Sequence, residues 1–252
     1  MTLWEALTVF IAGIGAGTIN TIVGSGTLLT FPILLAVGLP PITANVSNSL
    51  GLAPGSLSGA IGYRRELVGQ RARLVRLGLA ALLGSLVGAW LLIVLPSAAF
   101  DAVIPVLILL AVLLVIFQPR LAKAVAARRT GDGDPEASLL LLLGIFLSGV
   151  YGGYFGAAMG VIMLALMGMM LHEDLQRLNA TKNVLALIVN AIAAFFFLFV
   201  ADFNWTAVVL IAVGSVLGGQ IGARVGRRLP PVALRGIIVV VGLVAVVKLL
   251  LD

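Results

Sequence analysis

The sequence predicts an all-α integral membrane protein made of two inverted-topology repeats, each a broken, re-entrant helix hairpin followed by three transmembrane helices. Three observations carry this expectation. Hydrophobic residues make up 61% of the 252 and charged residues 10%, where a soluble domain carries about a quarter charged. The apolar residues form ten runs, at 3–22, 26–38, 44–62, 73–95, 101–118, 138–152, 157–171, 180–200, 205–223 and 232–251, rich in Leu, Ala and Gly and without the alternation of barrel strands. Two polar clusters, "TANVSNSLG" at Thr43–Gly51 and "LNATKN" at Leu178–Asn183, occupy corresponding places in the two halves of the chain.

The first two runs cannot be one helix. Residues 4–38 would extend about 50 Å at 1.5 Å per residue, against a hydrocarbon core of roughly 30 Å. Gly24-Ser25-Gly26 is where the helix breaks, because glycine is a poor helix former and accepts dihedrals closed to other residues. The third run opens on the first polar cluster. On a helix, Asn45, Asn48 and Ser49 share one face, as do Asn179, Lys182 and Asn183 in the second cluster. The fourth run carries Gly84 and Gly88 at a spacing suited to close helix packing. With the fifth run it completes a first half at 1–118, followed by a polar linker at 119–137 centred on "ARRTGDGDPE" and a second half at 138–252.

The second half repeats the first. "GTINTIVGSGTLL" from Gly17 resembles "GVYGGYFGAAMGV" from Gly149, pairing Gly17 with Gly149 and Gly24 with Gly156 (156 − 24 = 132). N-V-S-N-S at 45–49 lies over N-A-T-K-N at 179–183 (179 − 45 = 134), and "GSLVG" at 84–88 over "GSVLG" at 214–218 (214 − 84 = 130). The second break is expected at Gly152-Gly153 or at Gly156. If both broken segments turn back to the side they came from, the basic loops 63–76, 119–129 and 224–235 face the cytoplasm with Arg177 and Lys182, and only Lys248 lies outside. Both termini are then extracytoplasmic. The first basic residue is Arg64, so the N-terminus has no positively charged region of a cleavable signal, and residue 1 is expected to be the mature start.

A helix break at membrane depth frees backbone polar groups that lipid cannot satisfy, so it implies burial in protein or a water-filled cavity. Half-helices starting near Thr27 and Ala158 would aim their N–H groups and positive dipole ends at the protein centre, which is an anion site. The candidate binding residues are therefore Asn20, Gly24, Ser25, Gly26 and Thr27 at the first tip, Tyr154, Gly156, Ala157 and Ala158 at the second, and the clusters Asn45, Ser47, Asn48, Ser49 and Asn179, Thr181, Lys182, Asn183 beside them. Other readings stand next to this one: the clusters as helix N-caps, Asn45-Val46-Ser47 and Asn179-Ala180-Thr181 as glycosylation acceptors, and Lys182 as a snorkelling headgroup anchor.

No H-E-x-x-H or G-x-S-x-G motif, no cysteine and a single histidine, His172 in "HEDLQR", argue against an intramembrane enzyme, a metal centre or a cofactor. The basic residues sit in short connections rather than among aromatics, so the expected partners are a small anionic substrate and the lipid bilayer, not nucleic acid. A homodimer is left open.

"AGTINTIVGSGTLLTFP", "ITANVSNSLGLAPGSLSGAIGYRREL", "GVYGGYFGAAMGV" and "RLNATKNVLALIVN" together resemble the TauE/SafE family of sulfite exporters over essentially the whole chain. The resemblance implies a multi-pass transporter of the bacterial cytoplasmic (inner) membrane for small sulfur-containing anions such as sulfite, thiosulfate or organosulfonates, exporting them with the proton gradient. An uncoupled anion channel, or a transporter of another small organic anion, is the alternative.

Overall fold

The computed structural model describes residues 1–127, 139–225, 236 and 239–247. Over these residues the chain is helical, with α1 (Leu3–Ile22), α2 (Thr27–Ala36), α3 (Pro41–Gly62), α4 (Arg71–Val94), α5 (Ser97–Ala127), α6 (Leu139–Tyr154), α7 (Met159–Met170), α8 (Leu175–Phe197), α9 (Trp205–Val225) and a further helical stretch at 239–247. Helices α1, α4, α5, α8 and α9 are long and apolar enough to cross a membrane, and α2, α6 and α7 are shorter apolar helices. Leu79, Leu83, Trp90, Leu109, Leu113 and Val213 leave large apolar side chains exposed on α4, α5 and α9, the surface a bilayer covers.

Both long apolar segments break and turn back. Gly15 of α1 faces Leu29 of α2, and Gly144 of α6 faces Leu166 of α7, so each short helix returns along the one before it. The breaks fall at Gly24 and Gly156, both at positive φ (90° and 81°). Two helix starts differ from the apolar runs. Helix α3 begins at Pro41, and α8 begins at Leu175 with Asp174 as its N-cap, its side chain accepting from the Gln176 N–H. The asparagine clusters therefore lie inside their helices, and the N-cap reading of them is corrected. At the other end of the first half α5 runs on to Ala127, past the apolar run that ends at 118. Most of the linker, and Arg128, Arg129, Arg227, Arg228, Arg235 and Lys248 with it, lie outside the described residues.

Two helix pairs hold the body together, and they use the same residues. A Cβ added at Gly88 of α4 would lie 2.8 Å from the Tyr154 nitrogen of α6, and one at Gly218 of α9 would lie 2.8 Å from the Thr18 nitrogen of α1. Likewise Gly84 approaches the Val150 nitrogen and Gly214 the Ile14 nitrogen, each at 2.9 Å. The glycines bring the backbones within reach of one another, and rising residue numbers on one helix meet rising numbers on the other, so α4 runs with α6 and α9 with α1. Contacts of Gly51, Gly55 and Gly62 with Ile211, Ser215 and Ala223 put α3 parallel to α9 as well. Tyr63, at the end of α3, packs on Ala180 near the start of α8, so those two helices are antiparallel. These contacts correct the internal alignment by one helical turn. Gly17 corresponds to Gly153, not Gly149, since added Cβ atoms there meet the equivalent carbonyls of Ser215 and Ser85. Helix α1 thus carries one extra turn before its break (24 − 17 = 7 against 156 − 153 = 3).

At one end of the body, Glu173 in the loop before α8 ties α4 to α8 by ion pairs to Arg73 (3.1 Å) and Arg177 (2.9 Å). Burial alone would push its carboxyl up, but the Asp174 N–H, the Arg73 guanidinium and the charge of Arg177 more than offset it, so the pKa is held below the usual carboxylate range. His172 beside it is exposed.

Replacing Gly88 or Gly218 by Val is expected to cost about 2–3 kcal/mol each, because a side chain there meets backbone that cannot move aside; unfolding in detergent should show similar losses for the two, and a wild-type midpoint in either would deny the equivalence. Glu173 titrates lower in the folded than in the unfolded chain, so its stabilisation is complete above the ordinary carboxylate pKa and is lost as pH falls through the lowered value. Glu173→Gln should therefore flatten the acid side of the stability–pH curve and leave its alkaline side unchanged.

Candidate functional site at the two helix breaks

The tips of the two hairpins meet backbone to backbone. The Gly160 N–H, in the first turn of α7, donates to the Gly24 carbonyl at 3.1 Å, and a Cβ on Gly24 would lie 2.6 Å from the Gly160 Cα. Only glycine fits on either side of that contact. Beside it Ser25 is 1% exposed, and its hydroxyl has no hydrogen-bond partner among the described residues. The N–H groups of Gly26 and Thr27 lie at the start of α2, where helix geometry offers no acceptor. The second tip is built differently. Ala157, Ala158 and Met159 line it, all buried, and Ala158 has a left-handed backbone (φ 57°), strained for a residue with a Cβ. The Tyr151 hydroxyl pins this tip by donating to the Ala157 carbonyl at 2.7 Å. Of the N–H groups at the α7 start expected to face an anion together with those of α2, that of Gly160 is occupied by the Gly24 carbonyl, and the side-chain hydroxyls gather at the α2 tip.

The asparagine clusters reach across to the C-terminal ends of the broken helices. Asn179 and Asn183 of α8 donate to the Thr21 carbonyl of α1 at 3.2 and 3.3 Å, and Asn45 of α3 donates to the Tyr154 carbonyl of α6 at 2.9 Å. Each half so satisfies carbonyls that the other half's break leaves unbonded. Lys182 belongs to the same arrangement. Its Nζ donates to the Asn20 and Thr21 carbonyls at 2.9 and 3.0 Å, and the residue is 0% exposed. This corrects the snorkelling reading. A fully buried side chain does not reach the headgroups, and its amine bonds the C-terminal end of α1 while its stem passes the first turn of α7. Its stem crosses the meeting of the tips, with Cδ 3.1 Å from where a Gly160 Cβ would be.

The remaining cluster residues divide. Asn48 joins the first tip, donating to the Thr27 hydroxyl at 3.1 Å and accepting from the Thr30 hydroxyl. Ser49 bonds back to the Asn45 carbonyl at 3.0 Å. Ser47 and Thr181 point elsewhere: Ser47 accepts from the Asn204 N–H before α9 at 3.0 Å, and Thr181 donates to the Gln70 side chain before α4 at 2.9 Å. They anchor helix starts and are not at the tips. Asn20 donates to the Ser56 hydroxyl at 3.2 Å. Sequence reasoning missed Asn190, which donates to the same hydroxyl at 3.3 Å. The signal was present, since 190 − 56 = 134 is the spacing of the asparagine clusters, and both residues lie seven positions beyond a cluster member on the same helical face. A pair related by the repeat and bonded to itself marks where the two halves turn onto one another.

The chain resembles proteins already described. It is 29% identical over 247 residues to a "Probable membrane transporter protein" of Haemophilus influenzae, covering 96% of this chain and 93% of that one. It is 30% identical over 251 residues to the "Probable membrane transporter protein YfcA" of Escherichia coli K12 (96% and 88%), and 27% identical over 246 residues to the "Probable membrane transporter protein ORF9" of a Sinorhizobium species (96% and 91%). No solved structure matches it. The family described as "Sulfite exporter TauE/SafE" matches residues 9–249. With paired helix breaks, clasped by paired asparagine clusters, in a body of membrane-spanning helices, the chain belongs to the TauE/SafE family of membrane transporters.

Proposed function

We propose that this transporter moves small sulfur-containing anions, such as sulfite, thiosulfate or organosulfonates, out across the cytoplasmic membrane, drawing on the proton gradient, and that the anion binds at the first hairpin tip. The single observation that carries the anion site is Ser25: a buried hydroxyl with no partner among the described residues, next to the N–H groups of Gly26 and Thr27 at the positive end of α2. A buried polar atom costs free energy unless something bonds it, and an oxyanion reaching the same N–H groups meets that need. Thr27, held by Asn48, fixes the turn. The sulfur chemistry and the outward direction rest on the family's description and on the resemblance stated above. The two halves act as inverted-topology repeats, 1–118 and 138–252, with both termini outside. Opposed helix directions support that reading, as does the cluster of Arg71, Arg73 and Arg76 at the start of α4, placed inside by the positive-inside rule.

Ser25→Ala is expected to weaken anion binding about tenfold, one hydrogen bond to a charged ligand, without lowering the unfolding midpoint, since the hydroxyl bonds nothing in the folded protein. Calorimetry against sulfite, sulfate, thiosulfate, taurine and sulfoacetate checks this, and unchanged dissociation constants for every anion that binds would remove Ser25 from the site. Lys182→Met should behave in the opposite way, losing roughly 2–3 kcal/mol of stability because two buried carbonyls lose a hydrogen-bond donor each. Flux in liposomes should saturate and show counterflow; flux that does neither is that of a channel.

The chain has no cysteine, so single introduced cysteines report topology directly. One at Ser97, ahead of α5, should react with membrane-impermeant thiol reagents in intact cells, and one at Arg71 should be protected. The reverse pattern would turn the molecule over.

A further inference from the structure

The ends of α1 and α6 are treated unequally. The Thr21 carbonyl at the end of α1 receives three donors, Asn179, Lys182 and Asn183, and Lys182 also bonds the neighbouring Asn20 carbonyl, so an amine from the other half caps that negative helix end. The Tyr154 carbonyl at the end of α6 receives one donor among the described residues, Asn45 Nδ2. The repeat places Asn48 where Lys182 stands (182 − 48 = 134), but Asn48 is neutral and turns away to Thr27 and Thr30. Ser49, the counterpart of Asn183, bonds within its own helix. No described Lys or Arg side chain hydrogen-bonds the end of α6. The Asn45 side chain meanwhile is 1% exposed, and its Oδ1, on the same amide that bonds Tyr154, has no partner among the described residues, a feature it shares with Asn179 Oδ1 at the α1 end.

From this inequality we infer that the C-terminal end of α6 is a binding site for a monovalent metal cation, with Na⁺ at the place that corresponds to the Lys182 ammonium. Its ligands are the Tyr154 carbonyl, the adjoining Gly153 carbonyl in the role of Asn20, and Asn45 Oδ1. Helix C-termini and carbonyls at a break are groups that hold such ions in transporters. The ligand set is oxygen only, which suits a hard cation. It is also neutral, and without a carboxylate the desolvation of a divalent ion would go uncompensated. Carbonyl and amide oxygens do not titrate in the physiological range, so the site takes a metal ion rather than a proton. The inference stands on the α6 end alone and is independent of the anion site and of which ion drives export.

The test is thermal unfolding of the purified protein in detergent, with chloride as the only anion and NaCl exchanged for choline chloride at constant ionic strength. The midpoint should rise with Na⁺ and saturate. Asn45→Asp keeps the size of the side chain and adds a negative charge to the ligand set, so saturation should move to about tenfold lower Na⁺. Asn45→Ala should lose the Na⁺ dependence, and if that variant does not fold, the aspartate variant carries the test. Ser25→Ala should keep the wild-type Na⁺ response, which separates this site from the anion tip. A wild-type midpoint indifferent to Na⁺, an unchanged Na⁺ titration in Asn45→Asp, or a lost response in Ser25→Ala would each overturn the assignment.

Discussion

Two helices stop inside the body of this protein, and the carbonyl oxygens at their ends must be hydrogen-bonded where lipid offers no donor. Nearly everything distinctive about the chain answers that requirement. The donors are Asn179, Lys182 and Asn183 for α1 and Asn45 for α6. Each comes from the opposite half, so neither break can be satisfied unless the halves are docked. Docking in turn needs backbones close enough for short amide side chains to reach, and Gly84, Gly88, Gly214 and Gly218 supply that closeness. The polar clusters and the glycine spacing are thus two parts of one solution.

The same dependence explains what could be read before any coordinates. The breaks were legible because a hydrophobic segment too long for a bilayer must be interrupted, and glycine marks the place. The clusters were legible because five polar residues in an apolar chain are costly, and their recurrence tied them to corresponding elements. Direction was not legible. Helical spacing puts Asn179, Lys182 and Asn183 on one face, but whether a four-carbon stem carries its ammonium toward a helix N-terminus, a C-terminus or a headgroup depends on neighbours far away in sequence. Ser47 and Thr181 show the limit in a milder form. They sit among the asparagines, yet one further step around the helix turns them to Asn204 and Gln70, where each holds a helix start of the other half. The turn of difference between α1 and α6 was hidden for a related reason: Gly149 and Gly153 are both glycines, and only packing against Ala81 and Ser85 distinguishes them.

The corresponding elements of the two halves pack alike, and they differ most at the tips. Thr27, Thr30 and Asn48 form a polar first tip, while the corresponding second tip has Met159, Ile162 and Lys182. With Met and Ile there is nothing at the second tip for an amide to bond, and a residue with a long stem turns instead across Gly160 to the end of α1. These three exchanges remove polarity from α7 and bring an amine of α8 to the end of α1. Here the hydroxyls and the unpartnered Ser25 gather at one tip, the other is apolar and strained at Ala158, and the Gly24–Gly160 contact holds the two against each other. The asymmetry leaves one polar tip against one apolar tip, and in the proposed reading the polar tip is where a small anion meets a few fixed donors away from water.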